Sequence, residues 1–139
     1  MNTGYAAGIV NASQAIMIAP SAITSEVYRD RPTVFSILSP ANTVLRNGLK
    51  LMSDKGVRTL VAIRENTASG EEVCSSINNE ASIAVLREIV LDSDAQLSTI
   101  SAAVQRAQED GAELLVGCVS STLCEQIVRA AERADYNPK

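Results

Sequence analysis

Ile16-Met-Ile-Ala-Pro-Ser-Ala-Ile-Thr-Ser-Glu26 is an apolar run that breaks at Pro20 into small methyl and hydroxyl side chains, and Arg31-Pro-Thr-Val-Phe-Ser-Ile-Leu-Ser-Pro-Ala-Asn42 follows it closely. A proline after such a run reads as a strand end, because it has no amide proton with which to continue a ladder. The Ser, Ala and Thr beyond it leave space and hydrogen-bonding capacity. The stretch describes a strand end opened toward a small ligand, not a catalytic loop.

From Asn42 onward one grammar repeats: a short β-rich apolar run, a turn, a helix cap and an amphipathic helix. That succession predicts an α/β fold of three layers (αβα), a parallel sheet flanked by helices. The strand candidates are residues 59–64, 83–91 and 113–119, the first and third nearly continuous apolar runs, as strands covered on both faces require. Behind each stands a capping-box pattern, in which a hydroxyl accepts the N3 amide and a Glu or Gln reaches back: Ser69-x-x-Glu72, Ser93-x-x-Gln96 and Thr122-x-x-Glu125. The helices carry apolar residues at the 3.6 period: Val73, Ile77 and Ala81; Leu97, Ile100, Val104 and Ala107; Leu123, Ile127 and Ala131. Another helix, residues 43–54, turns Val44, Leu45, Leu49 and Met52 inward, and Gly56 and Gly111 sit where helices should end. Upstream, residues 4–14 are rich in Ala and Gly and read as one helix leading into a strand at 15–18.

With 139 residues, 46% of them hydrophobic and 20% charged, there is one compact domain's worth of chain, able to bury roughly two-thirds of its unfolded surface. A net charge of −4 leaves no basic stripe for phosphates, and 3% aromatics without Trp leave little to stack on bases. Nucleic acid is therefore not expected as a partner. No run of about 18 uncharged apolar residues is present, so no membrane span is expected. The first ten residues lack the charged region and long apolar core of a secretory leader. Cys74, Cys118 and Cys124 have no C-x-x-C spacing and there is no His, which argues against zinc. They read as small buried apolar residues, with a Cys118–Cys124 disulfide, or a bridge to a cysteine elsewhere, open in an oxidising compartment. No cofactor is expected.

The blocks Ile18-Ala-Pro-Ser-Ala-Ile-Thr-Ser-Glu-Val27 and Arg31–Asn42 resemble the type 1 periplasmic-binding-protein superfamily, the bacterial amino-acid and amide solute-binding proteins and related extracellular receptor domains. In that family a proline-closed strand meets the ligand, and a second strand then crosses the hinge into the other lobe. The match covers most of this chain but only the middle part of a family member, so the chain looks like a fragment. The resemblance implies that residues 1–41 are part of the first lobe and 42–139 part of the second, with a hinge near Ser39–Asn42. Pro40 suits a crossing because it fixes one dihedral; without the family, Pro-Ala-Asn-Thr reads equally well as a helix start. The resemblance further implies non-enzymatic binding of an amino-acid-like or other polar small molecule, with hinge closure. It places the protein on the periplasmic or extracellular face of a membrane, with a membrane transporter or a receptor signalling module as partner and a homodimer formed through the first lobe. A secretory signal would then lie upstream.

In open parallel sheets ligands bind beyond the carboxyl ends of the strands, where loops and helix N-termini converge. That picks out Pro20–Thr24, Glu65–Gly70 and Val119–Thr122. Carried onto this chain, the family's head-group contacts fall on Ser21, Ala22, Ile23 and Thr24, joined by Glu65, Asn66 and Ser69 after the second lobe's first strand and by Ser120. Two departures matter. Many amino-acid binders carry a hydroxyl where this chain has Ile23, so a holder for a carboxylate is lost. Ser69 replaces an aromatic wall, while Gly70 keeps its place. Ser21 and Thr24 either contact the ligand or cap a turn, since both roles use the same atoms. The sharpest expectation sets Ser21 and Thr24 across a cleft from Ser69.

Catalytic groups are few. There is no His, no Gly-x-Ser-x-Gly, no Gly-rich phosphate loop and no metal-spaced cluster, so the commonest general base and the nucleophile elbow are missing and no enzyme is expected. Glu71 and Glu72 answer the positive end of a helix. Asn11-Ala-Ser13 matches a glycosylation acceptor, as one chance match among eight asparagines would. The alternative is a flavodoxin-like enzyme or regulatory α/β domain, which the fold alone does not distinguish. Missing phosphate-binding glycines stand against it. A truncated product without ligand function is a third reading.

Overall fold

The structure, a computed structural model, describes residues 3–79 and 82–138. In chain order the elements are α1 (Thr3–Ala12), β1 (Met17–Ile18), β2 (Val34–Phe35), α2 (Arg46–Asp54), β3 (Thr59–Glu65), α3 (Ala68–Ser75), β4 (Ala84–Leu91), α4 (Leu97–Glu109), β5 (Leu114–Cys118) and α5 (Ser121–Arg133). Short 3-10 turns span Ser25–Val27, Ala41–Thr43 and Ser76–Asn79.

β3 lies between β4 and β5, and both pairings are parallel. The three strands expected from sequence thus share one sheet, each end within one residue of its expected place. β3 is central because its sequence tolerates cover on both faces: Leu60, Val61, Ala62 and Ile63 are at most 2% exposed. Leu60 and Ala62 pack with Leu49 of α2 and Cys74 of α3. Ile63 packs with Ile100 and Val104 of α4 and Ile127 of α5, and Val61 with Ala107. β4 is an edge strand on which Val85, Leu86 and Val90 are exposed, interrupted by two charged residues; Arg87 holds Asp110 with two hydrogen bonds and Glu88 pairs with Arg64. Such charges discourage edge-to-edge association. Its register against β3 skips Leu86 between Leu60 and Val61, a bulge.

Four helices stop at a residue in the left-handed region: α1 at Gln14 (φ 54°), α2 at Gly56 (88°), α4 at Gly111 (70°) and α5 at Asp135 (49°). In each, the next amide donates back across the turn, as Val57 to Met52, Ala112 to Ala107, Ala15 to Val10 and Tyr136 to Ala131. Gly56 and Gly111 do what their sequence positions imply.

Helix starts depart from expectation. α3 is capped by Thr67, whose Oγ1 accepts the Gly70 amide at 3.1 Å, and not by Ser69. α4 begins after Gln96 and α5 after Ser120, neither with a side-chain cap. The hydroxyls of Ser93 and Ser120 are drawn instead to the Glu65 carboxylate, and Glu72 reaches away to Ser25. Leu97 (53% exposed) and Val44 (50%) do not face inward; Leu97 is the first residue of α4, a turn ahead of buried Ile100, and Val44 precedes α2 altogether. Ala81 lies outside the described residues.

Cys74 of α3 and Cys118 of β5 form a disulfide, with Cα atoms 5.7 Å apart, while Cys124 is free and exposed. This corrects the Cys118–Cys124 alternative. Cys74 and Cys118 meet in the layer between sheet and α3, whereas Cys124 sits on an outer position of α5.

The N-terminal segment is slighter. α1 covers 3–12, not 4–14, and the strand covers two residues, not four, because the turn at Gln14 occupies the intervening chain. β1 pairs in parallel with β2, Met17 against Val34 and Ile18 against Phe35. Ala7, Ala19, Val27 and Val34 form its buried cluster. After Pro40 the chain enters a 3-10 turn and the Ala41 amide donates to the Ile23 carbonyl at 2.9 Å.

Candidate binding site

The carboxyl ends of β3 and β5 and the first turns of α3 and α5 meet at one place. Gly70 makes this approach feasible: a Cβ there would lie 2.5 Å from the Glu65 carbonyl oxygen and 3.0 Å from that of Cys118, the first a distance no side chain tolerates and the second a tight one. Four residues further along the same helix, the Cys74–Cys118 disulfide fixes α3 to β5 covalently. Between these ends lies a cavity of about 340 Å³. Its lining residues include Thr67, Ser69, Ser120 and Glu65, together with the apolar Val73, Val119 and, from the N-terminal segment, Ile23.

Glu65 ends the central strand and is 8% exposed. The Ser93 hydroxyl and the Ser120 amide, the latter 2.8 Å from Oε2, hold its carboxyl below the usual glutamate range; burial opposes the shift and the Ser120 hydroxyl adds to it. The group is therefore ionised at neutral pH, and it ties the segments after β4 and β5 to the end of β3. Burial, with the nearby Glu72 charge added, pushes the Tyr28 phenol up. Tyr28 accordingly stays protonated and donates to the Ile23 carbonyl at 3.0 Å. Both Glu72 carboxylate oxygens accept the Ser25 amide, at 3.0 and 3.1 Å, joining α3 to the 3-10 turn at Ser25–Val27.

Of the residues singled out from sequence, Ile23, Glu65, Ser69 and Ser120 share the cavity. Thr24 instead lines an adjoining depression with Ser25, Asn42 and Glu72. Ala22 packs into the N-terminal cluster and its carbonyl accepts the Ser36 hydroxyl at 2.7 Å. Asn66 donates to Asp92 at 3.0 Å, and Ser21 is exposed. Opposite Ser69, then, stands Ile23 and not Ser21 or Thr24. The chain is extended at Thr24 (φ −72°, ψ 126°), so neighbouring side chains point to opposite sides. Thr67 and Val119 lie within the strand-end stretches picked out from topology without being named as contacts, and Val73 was assigned only to the apolar face of a helix; Thr67 carries a signal, being the first hydroxyl after a strand and three residues before a glycine. Among the described residues no group of three or more His, Cys, Asp or Glu is placed to hold a metal, and no helix is long and apolar enough to cross a membrane.

Compared by sequence, the chain matches no family model and no curated protein. By structure it is similar to a branched-chain amino acid ABC transporter periplasmic ligand-binding protein from Burkholderia xenovorans LB400, with TM-score 0.85 and 14% identity over 99% of this chain and 37% of that one. An ABC transporter substrate-binding protein from Desulfitobacterium hafniense in complex with Leu gives 0.81 and 13% over 98% of this chain and 42% of that one. A solute-binding protein of an ABC transporter from Rhodopseudomonas palustris BisB5, in complex with 3,4-dihydroxybenzoic acid, gives 0.81 and 11% over 96% and 37%. The chain spans about two-fifths of the length of these proteins. At such identities the likeness is one of fold, and the fold is that of the type I periplasmic binding proteins.

Proposed function

We propose that this chain is part of a non-enzymatic solute-binding protein and that the cavity beyond β3 and β5 receives the solute. One observation carries the reading: Thr67, Ser69, Ser120, Glu65 and the apolar Ile23, Val73 and Val119 converge around about 340 Å³ at the carboxyl ends of parallel strands, where α/β folds place their ligands. Ser69, Ser120, Thr67 and Glu65 would supply hydrogen bonds and Ile23 the opposing wall; Ser21, Ala22, Thr24 and Asn66 would stand around the rim. Residues 1–41 and 42–139 would belong to two lobes that close by rotation near Pro40. The fold likeness to proteins described as periplasmic and as parts of ABC transporters supports an amino-acid-like or other small polar solute, a membrane transporter as partner and a periplasmic or extracellular location. A receptor signalling module reading the same closure, and pairing of two copies through the first lobe, belong to the same proposal.

The test is a calorimetric and thermal-shift screen of small amino acids, amines and organic acids. A solute at a hundred times its Kd should stabilise the chain by about 2.7 kcal/mol. Ser69→Ala together with Ser120→Ala should weaken binding about tenfold or more, as losing hydrogen bonds to a buried polar group does. Unchanged binding in that double variant, with the protein still folded, would move the site elsewhere.

A further inference from the structure

Glu72 reaches from one region of the molecule and takes hold of the other. Both its carboxylate oxygens accept the Ser25 amide, at 3.0 and 3.1 Å, across 47 positions of sequence. We infer that this contact is a latch: Glu72 is a positioning residue that holds residues 23–27 against α3 and so sets the Ile23 wall opposite Ser69 before any solute arrives. The latch is a property of the fold and stands without the solute-binding reading; only its consequence for affinity rests on that reading.

Both halves of the latch are fixed from behind. Glu72 lies between Gly70, where α3 approaches the Glu65 carbonyl too closely for a Cβ, and Cys74, which is bonded to Cys118. A carboxylate carried on so constrained a turn has less freedom to lose when it accepts a bond. On the other side, the Arg31 guanidinium donates to the Glu26 and Val27 carbonyls, both at 2.8 Å, and Val27 is buried with Ala7, Ala19 and Val34. Two residues before Ser25, the Ile23 carbonyl accepts the Ala41 amide at 2.9 Å and the Tyr28 hydroxyl at 3.0 Å. Displacing Ser25 therefore displaces Ile23.

Glu72 lines the adjoining depression and not the cavity, so it acts on the cavity through Ile23. The contact is also where opening should begin. Behind Glu72 stand a disulfide and the packed sheet, whereas the cluster behind Ser25 is two alanines and two valines, and elements with little buried apolar surface open first. If the cavity takes a solute, a chain without the latch is competent to bind for a smaller fraction of the time, and its apparent affinity falls by that fraction.

Amide hydrogen exchange by NMR on the whole chain, with no ligand added, tests the latch. Glu72→Ala should speed exchange of the Ala41 amide, whose acceptor is Ile23, about tenfold, as loss of a charge-assisted hydrogen bond implies, while the Val61 and Leu115 amides keep their parent rates. Ser25→Pro takes away the donated proton instead. Thr24 is already extended (φ −72°, ψ 126°) and Ser25 opens the 3-10 turn, so the backbone suits proline. Its effect should match that of Glu72→Ala and add nothing to it in the double variant. Ser25→Ala, which keeps the amide, should exchange as the parent does, and Glu72→Gln, which keeps one acceptor oxygen, should retain part of the protection. If Ser25→Pro does not fold, the order of parent, Glu72→Gln and Glu72→Ala decides alone. An Ala41 rate unmoved by Glu72→Ala overturns the latch. An equal rise at Val61 and Leu115 overturns it too, since Glu72 would then support the whole fold, and so do additive effects of the two single changes. None of these outcomes depends on whether a solute binds.

Discussion

Residues 3–41 and 42–138 use the same vocabulary of short apolar strands and helices, yet they reach different degrees of order. The second region buries Leu60, Val61, Ile63, Ile100 and Val104 completely and sustains strands of 7, 8 and 5 residues. In the first, two strands of two residues each pair only with one another, and Ile16, Ile18, Phe35 and Ile37 stand exposed. Its buried cluster is two alanines and two valines. Apolar pattern is thus necessary and insufficient: a strand lengthens where a second layer covers it, since packing and not local propensity supplies most of the free energy.

The hardest blow to that comparison is dealt by truncation. Ile63→Ala leaves a void between the sheet, α4 and α5 and should cost about 2–5 kcal/mol, read as a shifted denaturation midpoint. Val34→Ala should barely move the same midpoint, because the N-terminal segment opens before the rest. Hydrogen exchange should find amides of α1 and β1 far less protected than those of Val61 and Leu115. Equal protection, or a large midpoint shift from Val34→Ala, would make the molecule one cooperative unit.

Next comes the covalent tie. Replacing Cys74 and Cys118 together by Ala opens a link across 44 residues and should cost about 2–4 kcal/mol. All of that loss should fall on 42–138, where both cysteines lie. Loss of protection confined to residues 3–41 would contradict the placement of the disulfide.

The strands were legible because an unbroken run such as Leu60-Val-Ala-Ile63 fits only a position covered on both faces, and Gly56 and Gly111 because a left-handed turn favours glycine. The caps were not. At α3 the local rule allows Thr67 or Ser69, and Thr67 takes the Gly70 amide; at α5 the Ser120 amide goes to Glu65, 55 residues away. At α5, then, a long-range carboxylate takes the place of a local cap. The same limit applies to the site: the ends of β3 and β5 could be located from topology, but whether Ile23 or Thr24 faces inward is a matter of one residue of alternation. Cys74 had no sequence cue pointing to Cys118, since their meeting depends on Gly70 letting α3 approach.

Glu65 gives the comparison a pH axis. Its carboxyl lies lower in the folded chain than in the unfolded one, so its ionised form stabilises the fold. That contribution is complete above the unfolded value of about 4.3 and is lost as pH falls below it through the lower folded value. Parent and Glu65→Gln should therefore differ by a constant amount from neutral pH down to about 5 and converge in more acidic solution. A gap that persists unchanged under acid would mean that the buried hydrogen bonds do not depend on the charge.

The smallest effect separates the two regions most finely. Gln14 and Asp135 both hold left-handed backbone at a helix end, φ 54° and 49°, one in each region, and neither is glycine. Left-handed backbone costs an ordinary side chain roughly 1 kcal/mol, and Asp tolerates it better than Gln. Asp135→Gly should raise the global midpoint by about 0.5 kcal/mol, since Tyr136 just beyond it anchors the chain end through a 2.9 Å hydrogen bond to the Ala112 carbonyl. Gln14→Gly relieves more strain, about 1 kcal/mol, but in the segment that opens first. Its gain should appear as slower exchange of α1 amides with the global midpoint unmoved. A rise in that midpoint from Gln14→Gly equal to or above that from Asp135→Gly would show that α1 unfolds with the sheet, and the division between the regions would fail.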